Sequence, residues 1–321
     1  MKNSLLRAAL ILSGLAFIVI IIGNVVIVAQ EPITGTWTAD SRDRGDKDDA
    51  GKIHISFERR TSRGRNQNGT SYAYSELQGL SRETAMGDGK ANFRLVREAG
   101  TIECDGTFIN GRGTGTFRFT PDMGFVSAMR SKGFDFEKES GIKRNRDDDD
   151  DSDSNSLSGR LLSAALLGVT SALADDLNSA NFGKLYVEDL YKAAIFKIDG
   201  RFMAEMKATG FPNMQMEDLV KARIFKIDAE YVRQIHDMGF DNRDFESLVK
   251  FRIFKVTPEF LNELKAAGLK DLDSEDIVKC RIFKIDPEFV RKVRTEHPDA
   301  TVEDMVKMKI GVYRLRDKDT Y

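Results

Sequence analysis

Only two cysteines, Cys104 and Cys280, occur in 321 residues. That is too few for a disulfide framework or a cysteine-rich zinc site. Three histidines, His54, His236 and His297, lie far apart and leave little material for a histidine-based metal centre. Positive charge is not in excess: 49 Lys and Arg face 51 Asp and Glu, a formal charge of −2. The bulk basicity of many nucleic-acid binders is therefore missing. Catalytic signatures are missing as well, with no His-Glu-x-x-His, Gly-x-Ser-x-Gly elbow or P-loop. The glycine-rich run Gly111-Arg112-Gly113-Thr114-Gly115 falls in a hairpin, not at the strand-to-helix turn that a phosphate cradle needs. These gaps point away from an enzyme; they predict no catalytic, cofactor-binding or metal-binding residue and no nucleic-acid partner. What remains is ordinary globular composition, 41 % apolar and 31 % charged, in a chain long enough for about two domains.

One long apolar run is present. Ala8 to Ala29 is interrupted only by Ser13, Gly14, Gly23 and Asn24. Its 22 residues match the about 20 that a helix needs to cross a hydrocarbon core of roughly 30 Å. Lys2 and Arg7 precede the run, while Glu31 and Asp40 follow it. The positive-inside bias then predicts an uncleaved signal anchor over residues 1–30, with 8–29 in the membrane. The chain would cross the inner (cytoplasmic) membrane once and export its C-terminal domains to the periplasmic or extracytoplasmic side. Cleavage after Ala29 is the competing outcome, though Ile27 at the −3 position fits a small-residue cleavage site poorly.

Residues 31–119 read as a small antiparallel β-sheet module, either half a sandwich or an open barrel. Ile33 to Ala39 carries the only tryptophan, Trp37, and Lys52 to Glu58 alternates with period two. The polar stretch from Arg59 to Thr70 reads as a mobile hairpin loop. Asn92 to Arg97 and Thr101 to Phe108 flank Glu98-Ala99-Gly100, and Asn110-Gly111 turns the chain into Gly115 to Phe119. Asn-Gly between alternating strands is the strongest short hairpin cue. A deep cavity lined by Trp37, Phe57, Phe93 and Phe117 would make this module a small-ligand binder; tight packing there would make it a scaffold.

The C-terminal half repeats. Ile198-Asp199, Ile227-Asp228, Val256-Thr257 and Ile285-Asp286 recur every 29 residues. Each is preceded by a matching block: Ala194-Ile195-Phe196-Lys197, Arg223-Ile224-Phe225-Lys226, Arg252-Ile253-Phe254-Lys255 and Arg281-Ile282-Phe283-Lys284. Each unit reads as two short helices. Asp199, Asp228, Thr257 and Asp286 are N-cap types, Pro258 and Pro287 sit at first helical positions, and Gly210, Gly239 and Gly268 end the helix. Asp244, Asp273 and Thr301 open the second helix. Helices of about ten residues are marginal alone, so neighbouring units must supply the stability. The fold class expected is α+β multidomain, with an N-terminal transmembrane helix, the antiparallel sheet and a C-terminal α-solenoid of two-helix repeats. A first repeat helix is expected over 120–137, a disordered acidic linker over 138–158 and the helical-repeat domain over 159–321. The linker contains Asp147 to Asp151, without the Gly-punctuated spacing of a calcium loop.

The one periodic polar feature is basic. Lys221, Arg223 and Lys226 recur as Lys250, Arg252 and Lys255 and again as Lys279, Arg281 and Lys284. Stacked units would align them into ladders of cations. Such residues at helix C-termini offset the dipole and keep the surface soluble; they also suit an anionic partner, whether lipid headgroup, envelope polymer or acidic protein face. On the second reading these nine are the partner-binding residues, and reversing Arg223, Arg252 and Arg281 together would leave folding intact.

Blocks of the shape Val-Thr-Pro-Glu-Phe-x-x-x-Leu-x-x-x-Gly-Leu followed by Glu-Asp-Ile-Val-x-x-Arg-Ile, best seen from Val256 to Ile282, resemble those of bacterial membrane-anchored repeat proteins. Similar repeats follow the protease part of some antibiotic-sensing membrane metallopeptidases. The peptidase motif is absent here, so the resemblance implies an envelope-associated sensing or scaffolding role and no activity. The expectation is a non-enzymatic binding protein that engages a protein or anionic polymer through its repeats. The alternatives are a small-ligand-binding β module with the repeats as a rod, and, last, an enzyme of unfamiliar type.

Overall fold

The computed structural model describes residues 32–41, 51–61, 64–138, 156–211, 214–240 and 244–312. The apolar run 8–29 and the acidic run Asp147 to Asp151 lie outside them. Among the described residues no single helix is long and apolar enough to cross a membrane. The fold is mixed α+β, a seven-stranded antiparallel sheet with thirteen α-helices among the described residues. Two units divide it: one holds the sheet up to Ser131 together with Asp135–Thr170, the other holds Lys132–Phe134 and everything from Ser171 on.

The sheet comprises β1 (Ile33–Asp40), β2 (Lys52–Thr61), β3 (Gly64–Ala73), β4 (Leu77–Gln78), β5 (Gly89–Arg97), β6 (Gly100–Ile109) and β7 (Arg112–Pro121), in the order β3-β2-β1-β7-β6-β5-β4. Period-two alternation sends Ile53, Ile55 and Phe57, then Phe93 and Leu95, then Phe117 and Phe119, to one buried face. The β6–β7 hairpin closes on Asn110 and Gly111, both at positive φ (50° and 77°), as a type I′ turn requires. Two helices pack on the sheet, α1 (Arg82–Met86) against β5, β6 and β7 and α3 (Leu157–Leu167) against β6 and β7, while α2 (Met123–Ser131) follows β7. In α3, Leu161, Leu162 and Leu166 are buried, and the Tyr72 hydroxyl donates to the Leu166 carbonyl at 3.2 Å.

One expectation changes. The stretch Arg59 to Thr70 is not a loop: β2 continues to Thr61, and β3 pairs with it in continuous register from Lys52↔Ala73 to Thr61↔Gly64. As an edge strand largely exposed along its length, with Tyr72 its one buried side chain, β3 lacks the alternation that marks a strand in sequence. The helix over 157–167 groups with the sheet in one compact unit, while the other takes in Lys132–Phe134 and Ser171 onward. The leucines of that helix serve the sheet's core.

The second unit runs through α4 (Ser171–Ser179), α5 (Val187–Phe196), α6 (Gly200–Lys207), α7 (Met216–Phe225), α8 (Ala229–Asp237), α9 (Phe245–Ile253), α10 (Pro258–Ala266), α11 (Ser274–Ile282), α12 (Pro287–Glu296) and α13 (Val302–Lys309). Equivalent helices touch at successive steps: α5 packs on α7, α7 on α9, α9 on α11 and α11 on α13, while α4 meets α6 and α10 meets α12. The core is columnar. Leu190, Leu219, Leu248 and Ile277 are fully buried at equivalent positions, as are Met206 and Leu264, with Ile235 nearly so. Caps fall where the sequence puts them. The side chains of Asp199, Asp228, Thr257 and Asp286 accept from the backbone N–H three residues on, at 2.7–3.3 Å. Gly210, Gly239 and Gly268 take positive φ of 87°, 89° and 111°.

Candidate functional site

The end of each odd-numbered helix from α5 to α11 carries the block that ends Ile-Phe-Lys, and its geometry repeats. The lysine closes the helix in the left-handed region, with φ of 53–54° at Lys197, Lys226, Lys255 and Lys284. The next N–H reaches back to the last turn, Ile198 to Ala193, Ile227 to Ala222, Val256 to Phe251 and Ile285 to Cys280, at 2.8–3.0 Å. A buried apolar residue thereby locks the turn. Glycine is the usual occupant of such a position because a side chain there costs about 1–2 kcal/mol. This chain uses glycine at the ends of α6, α8 and α10 and lysine at the ends of α5, α7, α9 and α11.

The nine predicted cations separate into three groups. Each arginine stacks on an aromatic ring of the helix before its own. The Arg223 guanidinium lies 3.7 Å over the Phe202 ring, Arg252 lies 3.5 Å over Tyr231 and Arg281 lies 3.5 Å over Phe260. Arg223 also donates to the carbonyl of the left-handed Lys197 at 2.8 Å, and Arg252 donates to that of Lys226 at 2.7 Å. At the last step Lys309 replaces arginine, 4.1 Å over Phe289. Lys221 and Lys279 form the second group, paired with Glu246 and with Glu303 (3.4 Å) of the following unit. Lys192 and Glu217 begin the same series, and the hydrogen bond from Lys192 holds the Glu217 carboxyl below its usual range. Lys250 occupies the equivalent place in α9. Pairs this exposed contribute about 0–1 kcal/mol each. The third group, Lys226, Lys255 and Lys284, is exposed, and these ammonium groups carry no ion pair among the described residues.

A column that the charge pattern does not reveal runs beside these lysines. Ile195, Ile224, Ile253, Ile282 and Ile310 are 46–54 % exposed, one per unit. Each of the first four lies on the last turn of its helix, two residues before the left-handed lysine. Sequence periodicity shows that the position is always isoleucine, but it cannot show that the side chain faces water.

Among the described residues the tryptophan of the sheet lies in packed core. Trp37 is fully buried, and its indole Nε1 donates to the Asp105 carbonyl at 3.2 Å. Its ring lies 5.1 Å from Phe93 and 5.6 Å from Phe108, and Phe57 meets Phe117 at 5.3 Å. The aromatic pocket expected of a small-ligand module is thus packed core. An open cleft of about 460 Å³ in this unit is lined by Thr34, Gly35, Thr36, Glu103, Asp105, Thr116, Phe117 and Arg118, so of Trp37, Phe57, Phe93 and Phe117 it touches only Phe117. Cys104 and Cys280 are both buried free thiols, and burial pushes the Cys280 thiol up to about 12. Cys280 occupies the core column that holds Ala193, Ala222 and Phe251 in other units. Among the described residues no three His, Cys, Asp or Glu side chains converge as a metal site.

No family model, curated protein or solved structure matches this chain.

Proposed function

We propose that the chain is a non-enzymatic binding and scaffolding protein of the bacterial envelope, held in the inner membrane by residues 8–29, whose repeats form an α-solenoid that engages a protein or an anionic polymer on the extracytoplasmic side. The observation that carries this reading is the packing of α5, α7, α9, α11 and α13 in series, with the same exposed residues at the end of each. Serial packing of equivalent helices builds a long surface whose columns scale with the number of units, the usual recognition device of repeat proteins. The packed Trp37 core favours a structural role for the sheet over a ligand pocket. The resemblance of the 29-residue blocks to membrane-anchored repeat proteins supports the same placement.

The test is capture of an envelope component by the full-length chain at low and high salt. A surface whose exposed cations meet an anionic partner loses capture steeply as salt rises, by more than about tenfold across the screening range. Substituting Lys226→Glu, Lys255→Glu and Lys284→Glu together reduces capture at low salt to the high-salt level. Capture indifferent both to salt and to these substitutions, or none at all, contradicts the proposal.

A further inference from the structure

We propose that the isoleucine column and its left-handed lysines form a recognition stripe for an extended acidic polypeptide carrying an aliphatic residue at about every third position. This deepens the binding-rod reading and rests on it.

Two observations single out the stripe. The first is its constancy within the chain. Exposed positions of the even-numbered helices drift in chemistry from unit to unit: Ala204, Arg233, Asn262 and Arg291 are equivalent, as are Glu205, Gln234, Glu263 and Lys292. The exposed isoleucines do not drift, although each leaves about half of an aliphatic side chain in water. The second is the choice of lysine where the backbone favours glycine. All four left-handed helix ends from α5 to α11 keep a lysine whose ammonium makes no ion pair among the described residues. A side chain held at a conformational cost, without an ion-pair partner among the described residues, is explained by a partner outside the fold.

Charge and spacing define the occupant. Each of the first four isoleucines has a lysine two residues on, so apolar contact and positive charge alternate along that part of the column. That pattern complements alternating aliphatic and acidic residues. Packed helices lie about 8–10 Å apart, and an extended chain advances about 3.1–3.3 Å per residue. About three residues of partner therefore span one unit. A flat anionic bilayer fits less well, because the exposed caps Asp199, Asp228 and Asp286 come two residues after the lysines and would meet the same surface. A chain lying along a column one residue wide avoids them.

The experiment measures binding of the full-length protein, in neutral detergent, to a fluorescent peptide with Leu at every third position and Glu between. A peptide of the same composition with its leucines gathered in one block is the comparison. Two variants are used: Ile224→Thr with Ile253→Thr and Ile282→Thr, and Lys226→Gly with Lys255→Gly and Lys284→Gly. The expected result is a preference of at least about tenfold for the periodic peptide, lost in both variants. The glycine variant should also unfold at the same or a higher temperature than the wild type, because glycine suits the left-handed position better. That separation of binding from stability is one a structural role for the lysines does not produce. Equal affinity for the two peptides, or unchanged binding by both variants, overturns the proposal. So does isoleucine-dependent adsorption to phosphatidylglycerol vesicles without peptide preference, or isoleucine-dependent self-association. If the variants lose nothing while the wild type still shows salt-sensitive envelope capture, the stripe is wrong and the binding-rod reading stands.

Discussion

Replacing Trp37 with alanine lowers the unfolding free energy of the sheet unit by about 3–5 kcal/mol, the range for truncating a large buried aromatic. The indole is fully buried and fills a space that the sheet's glycines create. On β1 it lies beside β7, and its ring contacts Phe93 of β5, two strands further on. Strands are spaced by about 4.8 Å, so the ring reaches Phe93 only by crossing β7 and β6. Gly106, Gly113 and Gly115 make that crossing possible. A Cβ added at Gly106 would stand 2.6 Å from the indole, and one at Gly113 or Gly115 would stand 2.7 Å from it. Alanine at position 37 leaves this glycine floor uncovered and the Asp105 carbonyl without its indole donor. Urea unfolding followed by far-ultraviolet circular dichroism measures the loss. A change below about 1 kcal/mol would mean that the ring does not organise the core.

The second large effect is in the repeats. Substituting Arg223→Ala, Arg252→Ala and Arg281→Ala together destabilises the repeat unit by about 3–6 kcal/mol, at about 1–2 kcal/mol per site. That figure combines a stacked guanidinium over an aromatic ring with, at two sites, a charged hydrogen bond to a carbonyl. The sequence pattern alone makes these arginines a solvent-facing ladder whose charge could be reversed without harm. The structure commits them to the fold instead. Arg→Lys at the same sites recovers only part of the loss, since an ammonium lacks the planar face that stacks on Tyr231 or Phe260. Thermal unfolding of the triple variants measures both effects, and a midpoint equal to that of the wild type would mean that the arginines do not hold neighbouring helices together.

Much of the repeat architecture is visible in the sequence because local chemistry and tertiary need coincide there. Asp199, Asp228, Thr257 and Asp286 cap because their side chains accept backbone N–H groups in any helix, whatever surrounds it. The Asn110-Gly111 turn is legible for the same reason. Features set by neighbours in space are less so. β3 is held by its ladder to β2, and its polar residues announce no strand. α1 is five residues long, too short to establish a period. The arginine clamps fall between these cases. Arg223, Arg252 and Arg281 each follow their aromatic partner by 21 residues, so the pairing is present in the sequence as a fixed offset between two columns. Cation periodicity read alone does not show it. Exposure of Ile224 and its equivalents is illegible for a deeper reason, since an isoleucine in a helix is expected to be buried until the packing shows otherwise.

Hydrogen exchange on the chain ended after Lys284, which removes α12 and α13, tests most directly whether each unit is stabilised by the next. Serial packing predicts that protection falls in α11 and α10, which lose their contacts, and is retained in α5 and α6. Protection lost evenly from α4 to α11 would show a single cooperative globule and contradict the account.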